Sequence, residues 1–154
     1  MANGQGEGKF GCELRTWGDM WDLSKVVAGK LRESSYRPDF IIGITRGGWI
    51  PAVNLSDLLG VRDLLSLKVE HWGITATADK RARLKFPLKV DLKDKKVLIV
   101  DDLTDTGESL KLSLRHVKTL NPREVRTAAL IHKSISRFTP DYYAEVVREW
   151  VWII

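Results

Sequence analysis

The sequence predicts an α/β fold, a single domain whose mostly parallel sheet is flanked by helices. Three observations favour this fold. Apolar runs of strand length alternate with segments of helical periodicity. Gly and Pro residues lie between these segments. The chain has 154 residues, of which 44% are hydrophobic, and this suffices for one core. Ligands of such sheets bind outside the carboxyl ends of the strands. Polar residues that follow a predicted strand are therefore the candidate site residues.

The first predicted helix begins after Thr16, which forms a capping box with Asp19. Apolar positions then recur at helical spacing, so we expect the two tryptophans among them to lie in the core. Pro38 ends the helical region. The recurring positions are Trp17, Met20, Trp21, Ser24, Val27 and Leu31.

A buried strand and a short helix follow. Residues 40–44 form a continuous apolar run that is typical of a buried strand. The Gly47-Gly48 pair forces a turn. Pro51 near the first helical turn and Gly60 just past the last one predict a helix over residues 50–59.

Four more strands and one helix complete the predicted order. The helix covers residues 108–120, and Asn121-Pro122 ends it; one face carries Leu110, Leu114, Val117 and Leu120. The strands cover residues 64–69, 97–100, 125–131 and 142–147.

Two segments carry no clear periodicity. Residues 70–86 contain a basic cluster over residues 80–85, and two interpretations stay open: a solvated loop, or a mobile basic lid over a polyanionic substrate. The glycine-rich residues 1–9 are predicted to form a disordered tail.

Composition limits the class of protein. Cys12 is the single cysteine, so no internal disulfide can form, and no apolar stretch is long enough for a membrane span or a signal-peptide core. We therefore expect a cytoplasmic protein without a membrane partner. The net charge of +5 permits a nucleic-acid partner, but the basic residues form no long stripe, which argues against one.

Residues 97–110 are the most informative segment. Four β-forming residues deliver Asp101 and Asp102 to a strand end, and a Thr/Gly/Ser-rich turn then leads to a helix that begins at Glu108. Such a turn can direct several backbone N–H groups at one phosphate, and the helix dipole favours its negative charge. The two carboxylates lie where ribose hydroxyls or a divalent cation would bind. The segment therefore predicts a sugar-phosphate site.

Other phosphate sites are not supported. A GxxxxGK[ST] motif does not occur, and residues 43–48 lack the GxGxxG spacing. A phosphoacceptor receiver domain would place its paired acids after the first strand, whereas these acids lie in the last third of the chain. One alternative stays open, a polar strand-to-helix turn that binds no ligand.

The segment resembles the phosphoribosyl-pyrophosphate (PRPP) motif of type I phosphoribosyltransferases, a hydrophobic strand followed by D-D-x-x-x-T-G-x-[ST]. Residues 42–52, Ile-Gly-Ile-Thr-Arg-Gly-Gly-Trp-Ile-Pro-Ala, resemble the first-strand loop of the xanthine-guanine and related 6-oxopurine members. Ile131-His132-Lys133 resembles their base-reading lysine segment, and residues 150–154 the start of their purine-contacting hood. The resemblance implies their fold over residues 10–154, with a small hood and a mobile lid.

The resemblance also implies an activity. Members transfer the 5-phosphoribosyl group from PRPP to guanine, hypoxanthine or xanthine in purine salvage, and they release a nucleoside monophosphate and pyrophosphate. It further implies Mg²⁺ as the cofactor and a homo-oligomer. Two alternatives stay open: a regulator of the same fold that senses nucleotides and binds RNA or DNA, and a transferase for another base, such as orotate or adenine.

For the ribose and phosphate, the resemblance implies these roles. Asp101 and Asp102 hold the ribose hydroxyls and help to position Mg²⁺. Asp105 faces N7 of the purine, where a carboxylate can accept the proton that the base sheds, which makes it the candidate catalytic residue. The residues that cradle the 5′-phosphate are Thr104, Asp105, Thr106, Gly107, Glu108 and Ser109.

For pyrophosphate and base, the resemblance implies a second set of residues. Arg46 with Gly47, and Lys68 on the next strand, are expected to bind pyrophosphate. Lys133 is expected to face the 6-oxo group, because an ammonium only donates hydrogen bonds and so disfavours the 6-amino group of adenine. Trp152 is expected to stack on the base, and Ile153 to offer a backbone carbonyl to its 2-substituent.

Overall fold

The computed structural model describes residues 12–72, 81–148 and 150–153. Within these ranges the chain forms eight strands and three helices. In chain order they are β1 Cys12–Arg15, α1 Trp17–Glu33, β2 Phe40–Thr45, α2 Trp49–Leu59, β3 Asp63–Trp72, β4 Arg81–Phe86, β5 Lys96–Thr104, α3 Glu108–Lys118, β6 Glu124–Lys133, β7 Tyr142–Val147 and β8 Trp150–Ile153.

The main sheet has six strands in the order β4-β3-β2-β5-β6-β7. All neighbouring strands are parallel except β3 and β4, which confirms the predicted mostly parallel sheet. A separate two-stranded sheet pairs β1 in parallel with β8. Because the parallel strands of the main sheet share one direction, their carboxyl ends lie along one edge.

Helices cover both faces of the main sheet, as predicted. Side chains alternate between the faces along each strand, and they form two core clusters. The first joins Ile41 and Leu98 to α1 and α2. The second joins Ile42 and Ile99 to α3 through Leu110 and other side chains. Among the described residues, no helix has both the length and the apolar character that a membrane span requires.

The predicted first helix and its capping box are confirmed, but the prediction that its tryptophans lie in the core is wrong. Trp17 is 60% exposed and Trp21 is 41% exposed. Trp21 lies about 100° around the helix from its buried neighbour Met20. Trp17 lies on the buried stripe but in the first turn, where it borders a cleft beside Arg46 and Asp102.

The prediction of an irregular segment over residues 70–86 is wrong where the structure describes it. Strand β3 continues to Trp72, and β4 pairs with it in antiparallel register. The basic cluster belongs to β4, where Ala82 and Leu84 pack against the second core cluster while Arg83 and Lys85 are exposed. The alternation of apolar and polar residues that is typical of a strand was not recognised in β4, because half of its residues are charged. Lys80, the central part of the predicted lid and the predicted tail lie outside the described residues.

Two strands end later than predicted, and this places site residues on the sheet itself. Strand β5 runs through Thr104, so Asp101 and Asp102 are strand residues, and β6 includes Lys133. Because adjacent strand residues point to opposite faces, the two aspartates leave β5 on opposite sides. The remaining bounds differ from prediction by a few residues at most, and strand 142–147 is confirmed at both ends. The β1–β8 pair was not predicted.

The burial of α1 generates a stability prediction. Met20→Ala should lower the free energy of unfolding by about 2–5 kcal/mol, because it empties a site that is 1% exposed. Trp17→Ala, although it removes a larger side chain, should cost about 1 kcal/mol or less. Urea unfolding followed by circular dichroism measures both. An equal loss for the two variants would contradict the exposed position of Trp17.

Candidate active site

The candidate site lies at the edge of the main sheet where the parallel strands end. The register pairs Thr45 of β2 with Lys68 of β3, and Thr104 of β5 with His132 of β6. The segments that follow these strands therefore meet. They are the Arg46 loop over residues 46–48, the motif loop over residues 104–109, and the β6 turn over residues 134–138.

The motif loop encloses a pocket of about 170 Å³ at the start of α3. The positive end of the α3 dipole lies there and favours an anion. Thr104 Oγ1 is buried without a hydrogen-bond partner among the described residues, which is uncommon for a buried hydroxyl. The lining residues are Asp101, Leu103, Thr104, Asp105, Thr106, Gly107, Ser109 and Leu110.

Lys133 forms an ion pair with Asp105, which lines this pocket. Lys133 Nζ lies 3.0 Å from Asp105 Oδ1, and the lysine side chain is only 3% exposed, whereas that of Asp105 is 37% exposed. A buried ammonium is costly without a partner, and Asp105 provides one. The structure thus joins the end of β6 to the motif loop and brings together a hydrogen-bond donor and a proton acceptor.

Asp101 and Asp102 differ in environment although they are neighbours in sequence. Asp101 is 8% exposed, and burial together with the charge of Asp102 raises the pKa of Asp101 well above its ordinary value. Each carboxylate accepts one backbone hydrogen bond, Asp101 from the N–H of Asp102 at 3.0 Å and Asp102 from the N–H of Leu103 at 2.8 Å. Both side chains border one cleft, where two ionised carboxylates would favour a bound cation.

The Arg46 loop packs directly on Asp102, and Gly47 makes this approach possible. A Cβ on Gly47 would lie 2.5 Å from Asp102 Cγ, closer than real side chains come. The peptide bond between Thr45 and Arg46 is cis. A cleft of about 290 Å³ lies beside this contact, and its lining includes Arg46 and both aspartates. One guanidinium and two carboxyl groups therefore border the same space.

Lys68 lies next to the Arg46 loop, but its ammonium is paired elsewhere. Its Nζ lies 3.4 Å from Glu70 Oε1, which also accepts a hydrogen bond from Lys85 Nζ at 2.9 Å. The hydrogen bond from Lys85 lowers the pKa of Glu70. Glu70 was not predicted as a site residue. Its position two residues after Lys68, on the same face of a strand, is the signal that could have found it.

The other predicted contacts are less complete. Trp152 and Ile153 lie on β8, opposite Leu14 and Arg15 of β1, and their side chains lie outside the described residues. Their role at the base therefore stays a prediction. His116 is structural, since its Nε2 accepts a hydrogen bond from the N–H of Leu88 at 3.0 Å. Among the described residues, no group of three or more His, Cys, Asp and Glu side chains is placed to hold a metal ion.

Comparisons with known proteins agree with this geometry. Residues 13–154 match the family described as "Phosphoribosyl transferase domain". The xanthine-guanine phosphoribosyltransferase of Cereibacter sphaeroides is 35% identical over 116 residues, which cover 73% of this chain and 65% of the relative, just under two thirds of its length. The enzyme of the same name from Gluconobacter oxydans is 30% identical over 138 residues, which cover 88% of this chain and 79% of that protein.

A solved structure is similar over nearly the whole chain. The purine phosphoribosyltransferase from Pyrococcus horikoshii superposes with a TM-score of 0.81 and 38% sequence identity, and the match covers 92% of each chain. The similarity therefore includes both the fold and a substantial part of the sequence.

The environment of Asp101 generates a prediction of pH dependence. In the unfolded chain this carboxyl ionises near its ordinary pKa of about 3.9. In the folded protein its pKa is raised by burial and by Asp102, so stability that is present at low pH is lost as the pH rises towards the folded value. Asp101→Asn removes this loss. We expect the variant to melt at a higher temperature than the wild type, by a margin that widens as the pH rises above about 4.

Thermal unfolding in the presence of a chelator measures this margin without a bound cation. The control is Asp57→Asn on the exposed part of α2, which should show no widening. Parallel curves for Asp101→Asn and the wild type would contradict the prediction.

Proposed function

Because this chain belongs to the phosphoribosyl transferase domain family, we propose that it transfers the 5-phosphoribosyl group from PRPP to a 6-oxopurine base. The products are a nucleoside monophosphate and pyrophosphate, as purine salvage requires. The Lys133–Asp105 ion pair beside the motif-loop pocket is the observation that carries this proposal. It sets a donor for a keto oxygen and an acceptor for a proton next to a phosphate site.

The 5′-phosphate of PRPP binds in the motif-loop pocket under this proposal. The loop residues supply N–H and hydroxyl donors, and the α3 dipole favours the negative charge. The unpartnered hydroxyl of Thr104 supports this role, because a phosphate oxygen would complete its hydrogen bonding.

The pyrophosphate group is assigned to the cleft beside Asp102. Arg46 can bind it in a bidentate manner, and Gly47 lets the backbone come close. Lys68 can also bind the pyrophosphate if its ammonium turns away from Glu70. The ammonium then exchanges a carboxylate partner for a phosphate. Because exposed ion pairs contribute little to stability, this exchange costs little free energy.

Asp101 and Asp102 are assigned to the ribose hydroxyls and to Mg²⁺. The pair fits this ion, because Mg²⁺ takes one or two carboxylates and completes its shell with substrate phosphates and water. A bound cation would favour the ionised form of Asp101 and so oppose the burial and the Asp102 charge that raise its pKa. When bound, Mg²⁺ supplies positive charge against the departing pyrophosphate.

Asp105 and Lys133 are assigned to the base. Lys133 donates to the 6-oxo group, while the carboxylate of Asp105 accepts the proton that the purine sheds as its nitrogen attacks C1 of the ribose. Bond breaking at C1 builds positive charge on the sugar, which the same carboxylate stabilises. A carboxylate accepts several hydrogen bonds, so the contact with Lys133 leaves room for the proton. Trp152 and Ile153 complete the base site in this proposal.

We assign the enzyme to the cytoplasm and to a homo-oligomer. A chain with one cysteine needs no oxidising compartment. The exposed tryptophans of α1 supply apolar surface for a second copy. A nucleotide-sensing regulator that binds RNA or DNA is the second candidate. A sensor would not need the pairing of Asp105 with Lys133, and its nucleic-acid binding would weaken steeply with added salt.

The first test incubates the protein with PRPP, Mg²⁺ and each purine in turn and measures pyrophosphate release. We expect release with guanine, hypoxanthine or xanthine, and little with adenine, because the Lys133 ammonium cannot accept a hydrogen bond from an amino group. Efficient use of adenine would remove the assignment of Lys133. No release with any base would overturn the proposed function.

The second test is Asp105→Asn. The amide oxygen can still accept the hydrogen bond from Lys133, so that link to the loop is kept, while the negative charge and the proton acceptor are lost. We expect kcat to fall by about 10²–10⁴-fold, the usual contribution of general base catalysis. The KM for PRPP should change little. Steady-state kinetics check both values beside the exposed control Asp57→Asn, and full turnover would exclude the role of Asp105.

A further inference from the structure

We propose that the β6 turn is a clamp that fixes the shape of the motif loop, and that Phe138 is the positioning residue that anchors it. The proposal rests on the proposed function, because it concerns the loop that is assigned to the 5′-phosphate. Phe138 does not line that pocket. It acts on the motif loop through its contact with Gly107 and through the hydrogen bond that the N–H of its neighbour Arg137 donates to the Thr106 carbonyl.

The β6 turn touches the motif loop at two successive residues. At Gly107, an added Cβ would collide with Cβ of Phe138 and lie 2.9 Å from Ser136 Oγ, so the turn packs flush against the glycine. At Thr106, the carbonyl oxygen accepts a hydrogen bond from the N–H of Arg137 at 3.3 Å. These contacts cross between two segments that are distant in sequence.

The turn is itself held firmly by its own hydrogen bonds. The N–H of Ser136 donates to the Lys133 carbonyl at 3.0 Å, and the N–H of Ser134 donates to the Val147 carbonyl of β7 at 3.0 Å. Ser136 Oγ donates to the Phe138 carbonyl at 2.9 Å and accepts from the N–H of the same residue at 3.3 Å.

The aromatic side chain of Phe138 connects this turn to the core. It packs against the second core cluster, to which Leu110 and Val117 of α3 belong. The loop therefore lies against a turn that is anchored on a core cluster, and the helix that begins at the loop contributes to the same cluster. A change in that anchor would move Gly107.

Gly107 controls where the loop directs its donors. Its φ of +85° lies in the left-handed region, and α3 begins at the next residue. Since β6 also grips Asp105 through Lys133, the end of β6 holds the motif loop on both sides of Thr106. The end of one strand therefore positions both the residue assigned to the base, Asp105, and the part of the loop assigned to the phosphate.

The test compares Phe138→Ala and Ser136→Ala with two controls. Phe138→Leu keeps an apolar anchor. Leu120→Ala removes a side chain that packs against the same core cluster at the far end of α3, so it lowers stability without touching the clamp. Calorimetry with ribose 5-phosphate gives the dissociation constant, and kinetics give the KM for PRPP. We expect both to rise by about 3- to 30-fold in the two clamp variants, and to stay near wild-type values in both controls.

Amide hydrogen exchange supplies a readout that needs no ligand. Exchange at residues 106–109 should accelerate in Phe138→Ala and remain unchanged in Leu120→Ala. Unchanged exchange and affinity in Phe138→Ala, or equal changes in Leu120→Ala, would overturn the clamp. If the wild type neither binds ribose 5-phosphate nor releases pyrophosphate, the proposed function fails, and the exchange rates still decide the clamp.

Discussion

The ion pair between Lys133 and Asp105 joins the two halves of the candidate site. An ammonium that is almost fully buried at the end of a strand is destabilising unless a partner carries the opposite charge. The partner here belongs to the loop after the neighbouring strand. Placing Asp105 at this position therefore also fixes where the motif loop leaves β5, and with it the pocket at the start of α3. The need of the Lys133 ammonium for a carboxylate partner thus determines the position of the motif loop.

Other parts of the site sacrifice stability for placement. Asp101 is buried beside a second carboxylate, which raises its pKa and disfavours its charged form. Gly47 leaves room that only a glycine permits, so that the Arg46 loop can lie on Asp102. Close approach and charge repulsion of this kind are expected where a protein must hold charged groups ready for a charged substrate. The buried apolar side chains of the surrounding sheet supply the compensating stability.

The sequence predicts those features whose signals are local. Apolar runs identify β2, β5, β6 and β7, and the capping box identifies the start of α1. The spacing of Asp101, Asp102 and the Thr-Gly turn likewise identifies the motif loop. The features that were missed depend on partners distant in the chain. Strand β4 is hidden by its charged outer face, and Phe138 matters only because the fold brings it to Gly107.

The pairing of β1 with β8 makes the position of each strand depend on the other. The last described strand has its hydrogen-bonded neighbour in the first one, and the two run in register from Cys12 with Trp150 to Arg15 with Ile153. β1 leads directly into α1, whose first turn borders the cleft at Arg46. A change at β1, such as a fused domain, a proteolytic cut or a bound protein, would therefore also disturb β8. This strand is the one assigned to the purine, and it lies some 140 positions later in the sequence.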